Sequence, residues 1–425
     1  MSETPDVAIV GGGLAGLVAA RHLAAGGVSV TVLEREATVG GRVRTHEEEG
    51  YRFDRGFQVL FTTYPAVRRE LDLEALELRR FSPGATLAQP GHRSTLSDPF
   101  REPTALPATL FNPDVTFGDK LRVARLRREL AGTDPAEIFS GRDRSIESFL
   151  REYGFSRKFL ENFAAPFYGG ITLDRSLSTS ARVFEYTFRS LSEGEIAVPA
   201  GGMGEIPAQL AEYARRDGAT LETDLEVESV TGDGDGVTVV ADGERREADA
   251  VVLATDPKSA RALTGLESIP TEARACVTQY YACPEHVDLE TGKRLLLNAG
   301  EEGPNHVVPH SEVAPEYAPA DVTLVSATFL GEREEGDEKL AAMTRDALES
   351  WFPERRFDRF DLLRTERVSF AQFAQPPGIH DTLPDVRDPD GPVYLAGDYT
   401  RWSSIQGAME SGREAARAVL EDLSQ

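Results

Sequence analysis

Three glycines near the start of the chain have the spacing that a dinucleotide requires. Gly11, Gly13 and Gly16 form a GxGxxG pattern inside VAIVGGGLAGLVAA, and Glu34 ends the next apolar run. Such glycines permit a tight turn, let the backbone approach a pyrophosphate, and let a helix pack closely on its strand. A carboxylate in the position of Glu34 accepts hydrogen bonds from a ribose diol. We predict cofactor contacts from Gly11, Gly13, Leu14, Ala15, Gly16, Glu34 and Arg35.

A second group of residues suited to a cofactor lies at the other end of the chain, in VYLAGDYTRWSSIQGAMESGREAA. An NAD site needs no such second junction, whereas FAD is longer and must be held at both ends. Asp398 is placed to bind a ribityl chain. A helix beginning near Ile405 would direct its positive end at the flavin edge where negative charge develops on reduction. Gly41 and Arg42, which follow Gly40, offer backbone space and a guanidinium to the same cofactor. The further predicted contacts are therefore Gly41, Arg42, Gly397, Asp398, Ile405, Gln406 and Ala408.

Short elements must position these residues. Val7–Val10 reads as a buried parallel strand, Leu14–Ala25 as a helix, and Val28–Leu33 as a second strand, which together make a right-handed βαβ unit. At the C-terminal end, Val393–Ala396 predicts a strand and Ser404–Leu420 a helix with one buried apolar face. Both cofactor motifs therefore follow a strand and open a helix.

The two terminal motifs together resemble the flavin-containing amine oxidase superfamily, which includes monoamine oxidases, protoporphyrinogen oxidases and phytoene desaturases. Four intervening motifs agree: YRFDRGFQVL (51–60), FAAPFYGGITLD (163–174), VPAGGMGEIPAQLAE (198–212) and ADAVVLATDP (248–257). The resemblance implies FAD as cofactor and no metal. It also implies that Gly56, Phe57 and Gln58 lie beside the isoalloxazine ring and that Val227 presents its backbone to adenine.

The positions of these motifs predict how the chain divides. The expected fold class is α/β: a discontinuous Rossmann-like FAD-binding domain formed by 1–60, 198–257 and 391–425, with an inserted α+β substrate domain formed by 61–197 and 258–390. The apolar run 250–254 is expected to return the chain to the parallel sheet.

Two features of the predicted substrate domain are open to more than one interpretation. Phe155, Phe159 and Phe163 have the spacing of one helical face, for which core packing is favoured over a lipid-shaped pocket. FGDKLRVARLRREL (117–130) predicts an amphipathic helix with arginines on its polar side, for which a solvated face is favoured over peripheral contact with a membrane.

The predicted reaction is the removal of two electrons from an apolar organic substrate, as a hydride to flavin N5. The motif GDYT…SIQGAMESG reads nearer to the carotenoid desaturase branch, although its spacer after Thr400 is shorter. The substrate is therefore expected to be an isoprenoid or carotenoid, and the electron acceptor O2 or a quinone. No catalytic side chain is identified. Arg401, His310 and Tyr281 are considered, and a structural role is favoured for each.

Two alternative functions are kept. The first is an amine or protoporphyrinogen oxidase that uses O2. The aromatic wall that amine oxidases take from their C-terminal motif is replaced by Ile405, and the stretch 272–285 offers Arg274 and Cys276 where those enzymes carry a lysine. The second is a flavoprotein with a non-redox step, as in a mutase.

Composition excludes some partners. The chain has 425 residues, with 71 acidic against 46 basic side chains and a net charge of −25. Such a surface repels nucleic acid phosphates and anionic lipid headgroups, and its plainest explanation is adaptation to high salt. Two cysteines, Cys276 and Cys283, are expected to be buried free thiols. The sequence has neither a signal peptide nor a membrane-spanning apolar run, so a cytoplasmic location is expected, with peripheral membrane contact kept as an alternative.

Overall fold

A computed structural model describes residues 6–97, 112–233, 236–284 and 289–424 of the chain. In chain order its strands are β1 Asp6–Val10, β2 Ser29–Leu33, β3 Thr45–Glu48, β4 Tyr51–Asp54, β5 Leu60–Phe61, β6 Arg79–Arg80, β7 Ala85–Gln89, β8 His92–Leu96, β9 Ile196–Val198, β10 Thr220–Glu222, β11 Val227–Asp233, β12 Gly236–Ala241, β13 Glu244–Ala248, β14 Ala250–Leu253, β15 Ala273–Pro284, β16 Leu295–Asn298, β17 His306–Pro309, β18 Val322–Leu330, β19 Asp361–Phe373 and β20 Val393–Leu395.

The α-helices, again in chain order, are α1 Leu14–Ala25, α2 Pro65–Glu70, α3 Phe117–Ala131, α4 Pro135–Ile138, α5 Ile146–Tyr153, α6 Arg157–Phe159, α7 Ala165–Thr172, α8 Ala181–Glu193, α9 Glu205–Arg216, α10 Pro257–Thr264, α11 His310–Val313, α12 Asp337–Trp351 and α13 Ile405–Leu423. A π-helical turn, Leu160–Ala164, joins α6 to α7. Short 3-10 turns occupy Pro315–Tyr317, Ile379–Asp381 and Asp398–Thr400.

A five-stranded parallel sheet unites distant parts of the chain in the order β10-β2-β1-β14-β20. Its central strands are buried on both faces, which explains their nearly continuous apolar sequence. Val7 of β1 pairs with Ala250 of β14, so the predicted return of the run at 250–254 to this sheet is observed. The predicted α/β class with a Rossmann-like parallel sheet is confirmed.

The two terminal helices, α1 and α13, cross in close contact on this sheet. A Cβ at Gly412 would lie 2.1 Å from the carbonyl oxygen of Ala15 in α1, so only glycine allows the two backbones to approach this closely. The crossing carries the C-terminal cofactor motif to the N-terminal one.

A seven-stranded sheet lies on the other side of the molecule, in the order β19-β15-β18-β17-β16-β7-β8. Its strands are antiparallel except for the parallel pair β16 and β7. A core that includes Trp351, Phe357 and Phe360 packs against it, with Tyr281 stacked on Phe360 at 4.3 Å between ring centroids. The sheet supplies a rigid wall that faces the parallel sheet across a cavity.

The aromatic run that was predicted to lie on one helical face does not. Helix α5 ends at Tyr153, and Gly154 follows in a left-handed conformation at φ 98°, so Phe155 lies in a turn and not on a helix. The rings nevertheless form a continuous ladder, with centroid distances of 4.4 Å from Phe155 to Phe159 and 5.4 Å from Phe159 to Phe163. This ladder belongs to a buried core, as the favoured interpretation proposed.

Candidate functional site

A cavity of about 800 Å³ lies between the parallel sheet and the seven-stranded sheet. One part, which we call the nucleotide end, is lined by residues from both cofactor motifs and from 225–228 and 254–263. The other part, the apolar end, is lined by Phe57, Val59, Phe61, Tyr64, Pro166, Phe167, Gly170, Ile171, Leu173, Val183, Thr187, Ile196, Leu295, Leu297 and His306.

The glycine loop after β1 has the backbone that a phosphate cradle needs. Gly11 has φ +107°, and a Cβ there would lie 2.7 Å from the oxygen of Ala254. A Cβ at Gly16 would lie 2.0 Å from the oxygen of Gly11, so this glycine allows α1 to pack on the loop and does not itself line the cavity. Gly13 faces open space, and no side chain caps α1. With Leu14 and Ala15 it offers helix N-terminal amides to an anion.

Glu34 is a buried carboxylate held in place by the backbone. It accepts hydrogen bonds from the N–H of Gly12 at 2.7 Å and of Glu36 at 3.0 Å, and it lines the nucleotide end. Arg35 lines the same region and pairs with Glu36 at its exposed side. Val227 also lines the nucleotide end, together with its neighbours Leu225, Glu226 and Glu228. The arrangement places a carboxylate that can accept hydrogen bonds from a ribose diol near the glycine loop.

Arg42 joins the two ends of the chain directly. Its guanidinium donates to both carboxylate oxygens of Asp398, at 2.7 and 3.0 Å, and Ser403 Oγ donates to the same carboxylate at 2.8 Å. The guanidinium is therefore held against Asp398, and the carboxylate already accepts hydrogen bonds from protein donors. Burial lowers the pKa of Arg42, but Asp398 outweighs this effect and leaves the pKa raised.

The start of α13 contributes to the cavity through some of its predicted residues. Gly397, Asp398, Ile405 and Ala408 line it. The side chain of Gln406 does not: it accepts from the N–H of Ala66 at 2.8 Å, so the cofactor contact predicted for Gln406 falls to its backbone, at the start of α13, and stays a prediction. Ser404 caps the helix by accepting from the N–H of Gly407.

The segment Gly56, Phe57 and Gln58 lines the cavity. Gly56 has φ +81°, which turns the chain away from β4. Gln58 donates to the carbonyl oxygen of Arg42 at 2.8 Å and fixes the loop that holds it. The Phe57 ring lies 5.0 Å from the His306 ring and marks the boundary of the apolar end.

The three side chains considered for catalysis lie outside the cavity lining. Arg401 forms an ion pair with Glu414 on the surface. His310 Nε2 lies 2.8 Å from Ser326 Oγ, and Tyr281 donates to Gln279 at 2.6 Å. The structural role favoured for each agrees with these contacts.

Cys276 lies beside Gly56 and lines the cavity, whereas Arg274 does not. Both cysteines are free and buried. Burial raises the pKa of the Cys276 thiol to about 11, so it stays protonated at neutral pH. The position for which amine oxidases suggested a lysine therefore presents a neutral group.

Several cavity residues were not anticipated from the sequence. Tyr64 and Trp402 lie in edge-to-face contact at 6.0 Å and supply aromatic walls near Ile405. Leu295, Leu297 and His306 come from β16 and β17. The buried run LLLN forms the strand β16, but nothing local in the sequence shows which cavity a strand faces.

The chain belongs to the flavin containing amine oxidoreductase family, whose model matches residues 14–420. It is a flavin-dependent oxidoreductase, as the resemblance implied. It is 32% identical to a phytoene dehydrogenase of Streptomyces griseus over 60% of this chain and 55% of that protein. It is 29% identical to a carotenoid phi-ring synthase of Streptomyces griseus over 99% of this chain and 88% of that protein.

The fold has solved counterparts. Cyclohexylamine oxidase from Brevibacterium oxydans superimposes with a TM-score of 0.69 at 21% identity, over 99% of this chain and 100% of that one. Carotenoid names thus occur among the sequence relatives and an amine oxidase among the structural counterparts, so the substrate must be argued from the cavity itself.

The residues at the nucleotide end fit a flavin dinucleotide. Gly13 leaves room for a pyrophosphate, Glu34 offers a diol acceptor, and the start of α13 borders the far side of the cavity. When bound, a flavin supplies two-electron redox chemistry that no amino-acid side chain provides. In the described part of the chain, no helix has the length and apolarity to cross a membrane.

Proposed function

We propose that this protein binds FAD and removes two hydrogens, as hydride and proton, from an apolar isoprenoid or carotenoid chain. One observation carries the proposal. Among the described residues that line the apolar end, none bears a carboxylate, a lysine or an arginine. Burial lowers the pKa of His306 to about 4 and raises the pKa of the Tyr64 phenol well above its usual value, so this wall is uncharged at neutral pH. Apolar walls with few polar groups suit an apolar chain.

The alternative substrates need something that this wall lacks. An ammonium group would lose its hydration without gaining a carboxylate partner, although Tyr64 and Trp402 supply aromatic surface. A porphyrinogen would bring carboxylates that meet no arginine in the described lining of the apolar end. A mutase-like role, with a non-redox step, remains the second alternative.

Anaerobic bleaching of the flavin tests these functions. The purified protein should carry the absorbance of FAD and lose it when an acyclic polyene is added in detergent without O2. Bleaching by amines or a porphyrinogen, with none by polyenes, would establish the oxidase alternative. Isomerisation that needs reduced flavin, without bleaching by any substrate, would establish the mutase-like role.

The partner that removes the electrons is proposed to be O2 or a quinone. Mixing the reduced protein with either acceptor in a stopped-flow instrument separates them, because the faster reoxidation identifies the acceptor. In this proposal FAD itself occupies the nucleotide end and leaves no site there for a second dinucleotide. NAD⁺ is therefore expected to reoxidise the reduced flavin slowly.

We also propose peripheral contact between α3 and an anionic bilayer on the cytoplasmic side. Phe117 and Leu121 are 61% and 57% exposed, and they lie one turn apart on a helix that carries five basic residues within an acidic chain. Substitution of both residues by serine should reduce sedimentation with phosphatidylglycerol vesicles. The same change at Leu363, another exposed apolar side chain, is the matched control.

The net charge of −25 supports a proposal of adaptation to high salt. Screening of carboxylate repulsion should raise the free energy of unfolding as KCl increases. Chemical unfolding at low and at molar KCl measures this, and equal stability at both would contradict it.

A further inference from the structure

Two leucines on either side of one turn adopt a backbone conformation that leucine disfavours. Leu173 has φ +55° and ψ +33°, and Leu177 has φ +57°. In the described part of the chain, the other non-glycine residues with a positive φ are glutamates and aspartates. A bulky apolar side chain in this left-handed region is strained, so its presence there needs a reason.

The turn between the two leucines is held by one carboxylate. Asp174 accepts hydrogen bonds from the N–H and the Oγ of both Ser176 and Ser178, at 2.5 to 3.0 Å. Its own N–H, like that of Leu173, donates to the carbonyl oxygen of Gly169 in α7. These bonds fix the backbone without the leucine side chains, and glycine would adopt the same conformation at no steric cost.

The strain at Leu177 is explained by the core of the protein. Its side chain is 2% exposed and belongs to the same buried core as Tyr168 and Phe184. Leu177 does not line the cavity. Burial of a leucine side chain therefore offsets the cost of its backbone conformation.

The strain at Leu173 has no such explanation within the protein. This residue is partly exposed, and among the described residues it belongs to none of the buried apolar cores. It lines the apolar end of the cavity instead, together with Phe167, Gly170 and Ile171 of α7. The apolar surface that Leu173 leaves exposed is thus available to a bound ligand.

Leu173 also lies near the place where the two ends of the cavity meet. Ile171, two residues before it, accepts a hydrogen bond at its carbonyl oxygen from Gln372 Nε2 at 2.7 Å. Gln372 follows Ala371 in β19, and the carbonyl oxygen of Ala371 accepts from Arg42 at 3.3 Å. A ligand that reaches from the apolar end toward Arg42 therefore comes next to Leu173.

We propose that Leu173 is a specificity-determining residue, whose side chain contacts the substrate chain and limits how wide a group can approach the nucleotide end. The inference deepens the proposed function and rests on it, because it takes the substrate to be an apolar isoprenoid or carotenoid chain. Glycine at this position would relieve the backbone and widen the cavity. A linear chain gains contact with the leucine, whereas a ring at the end of the chain needs the space that the leucine fills.

The test uses two probes that differ only at one end: an acyclic polyene, and the same polyene with that end closed into a cyclohexene ring. Binding is measured from the change in polyene absorbance with the flavin already reduced, so that no oxidation follows. Leu173→Gly should bind the acyclic probe about fivefold more weakly, because an apolar contact is lost. It should bind the ring-ended probe at least as tightly as the unaltered protein does. An unchanged ratio of the two affinities would overturn the proposal.

Leu177→Gly is the matched control, because it makes the same change in the same backbone conformation outside the cavity lining. It should lower the Tm through lost core packing and leave the affinity ratio unchanged, with Leu177→Ala as a milder version. Leu173→Gly should have a higher Tm than Leu173→Ala, because alanine keeps the strain that glycine relieves. If Leu173→Gly fails to fold, or loses as much Tm as Leu177→Gly, the fold itself uses the Leu173 side chain and the proposal is overturned.

The failure of this inference differs from the failure of the proposed function. If neither probe bleaches the oxidised flavin of the unaltered protein, the proposed function fails and this inference fails with it. If the probes bleach the flavin but the Leu173 variants keep the affinity ratio of the unaltered protein, only the role of Leu173 fails.

Discussion

The nucleotide end and the apolar end of the cavity are built in different ways. At the nucleotide end, backbone groups near Gly13 face the space, and charged side chains such as Glu34 are tied to the backbone or to each other. At the apolar end, side chains from β5, α7, α8 and β16 form the wall. A site that holds its ligand through the backbone tolerates few substitutions of the glycines in that backbone. A wall of side chains can be remodelled by substitution to fit another substrate.

The largest effect is expected where backbone meets cofactor. Gly13→Val places a side chain in the open space of the cradle, where its Cβ meets no protein atom within 4 Å. FAD affinity should fall at least about 100-fold, or about 3 kcal/mol, because the pyrophosphate loses its approach to the backbone. Flavin titration of the apoprotein measures it.

The control for Gly13→Val is Gly336→Ala, at the start of α12, where a Cβ also meets open space. This control should bind FAD with unchanged affinity. If Gly13→Val also binds normally, the assignment of this end to a dinucleotide is wrong.

Asp398→Asn is expected to have the next largest effect, because it leaves the Arg42 guanidinium without a charged partner at the junction of the chain ends. The free energy of unfolding should fall by about 2 kcal/mol. Urea unfolding measures it, with Arg401→Ala as the control, since that surface pair should contribute less than about 1 kcal/mol. If both variants lose the same free energy of unfolding, the ion pair between Arg42 and Asp398 contributes no more to stability than the surface pair of Arg401.

A pH effect is expected at Asp54, the last residue of β4, two residues before Gly56 of the cavity lining. Burial raises the pKa of Asp54 to about 6, although hydrogen bonds from Thr45 Oγ1, the Met203 N–H and Tyr317 Oη oppose this shift. Because the folded-state pKa lies above that of the unfolded chain, the folded state takes up a proton as the pH falls through about 6, and stability from this group rises.

Relative to Asp54→Asn, the unaltered protein should therefore gain about 1 kcal/mol between about pH 7 and about pH 5. Unfolding titrations of both proteins at each pH measure this difference. Parallel pH profiles would show that Asp54 titrates as an ordinary carboxyl.

The smallest effect is expected in the wall of the apolar end. Phe167 lines the cavity and stacks on Phe163 at 5.2 Å, whereas Phe163 does not line it. Phe167→Ala should raise KM for a polyene about fivefold, near 1 kcal/mol, with full flavin content. Phe163→Ala should lower the Tm and leave KM unchanged. A loss of flavin in Phe167→Ala would mean that the two ends are not independent.

Features that depend on a local stretch of sequence could be predicted, whereas features that depend on contacts between distant parts of the chain could not. Helix α1 was predicted at Leu14–Ala25 and is observed there, because glycine spacing and helical periodicity are local properties. The C-terminal helix was predicted to end at Leu420 but continues to Leu423, since Arg387 from a distant loop pairs with Glu421 and Asp422. The position of Phe155 was missed because a glycine turn broke the periodicity.

The sequence by itself determined the parallel βαβ unit and the second strand-to-helix junction, because each depends on residues close together in the chain. The presence of both motifs in one chain then indicated the class of cofactor. Tertiary structure alone decided that Arg42 pairs with Asp398, that Gln406 turns away from the cavity, and that His306 enters its apolar wall. Those contacts depend on the order of strands in two sheets and on the crossing of two helices. The spacing of residues along the chain predicts neither the order of the strands nor the crossing of the helices.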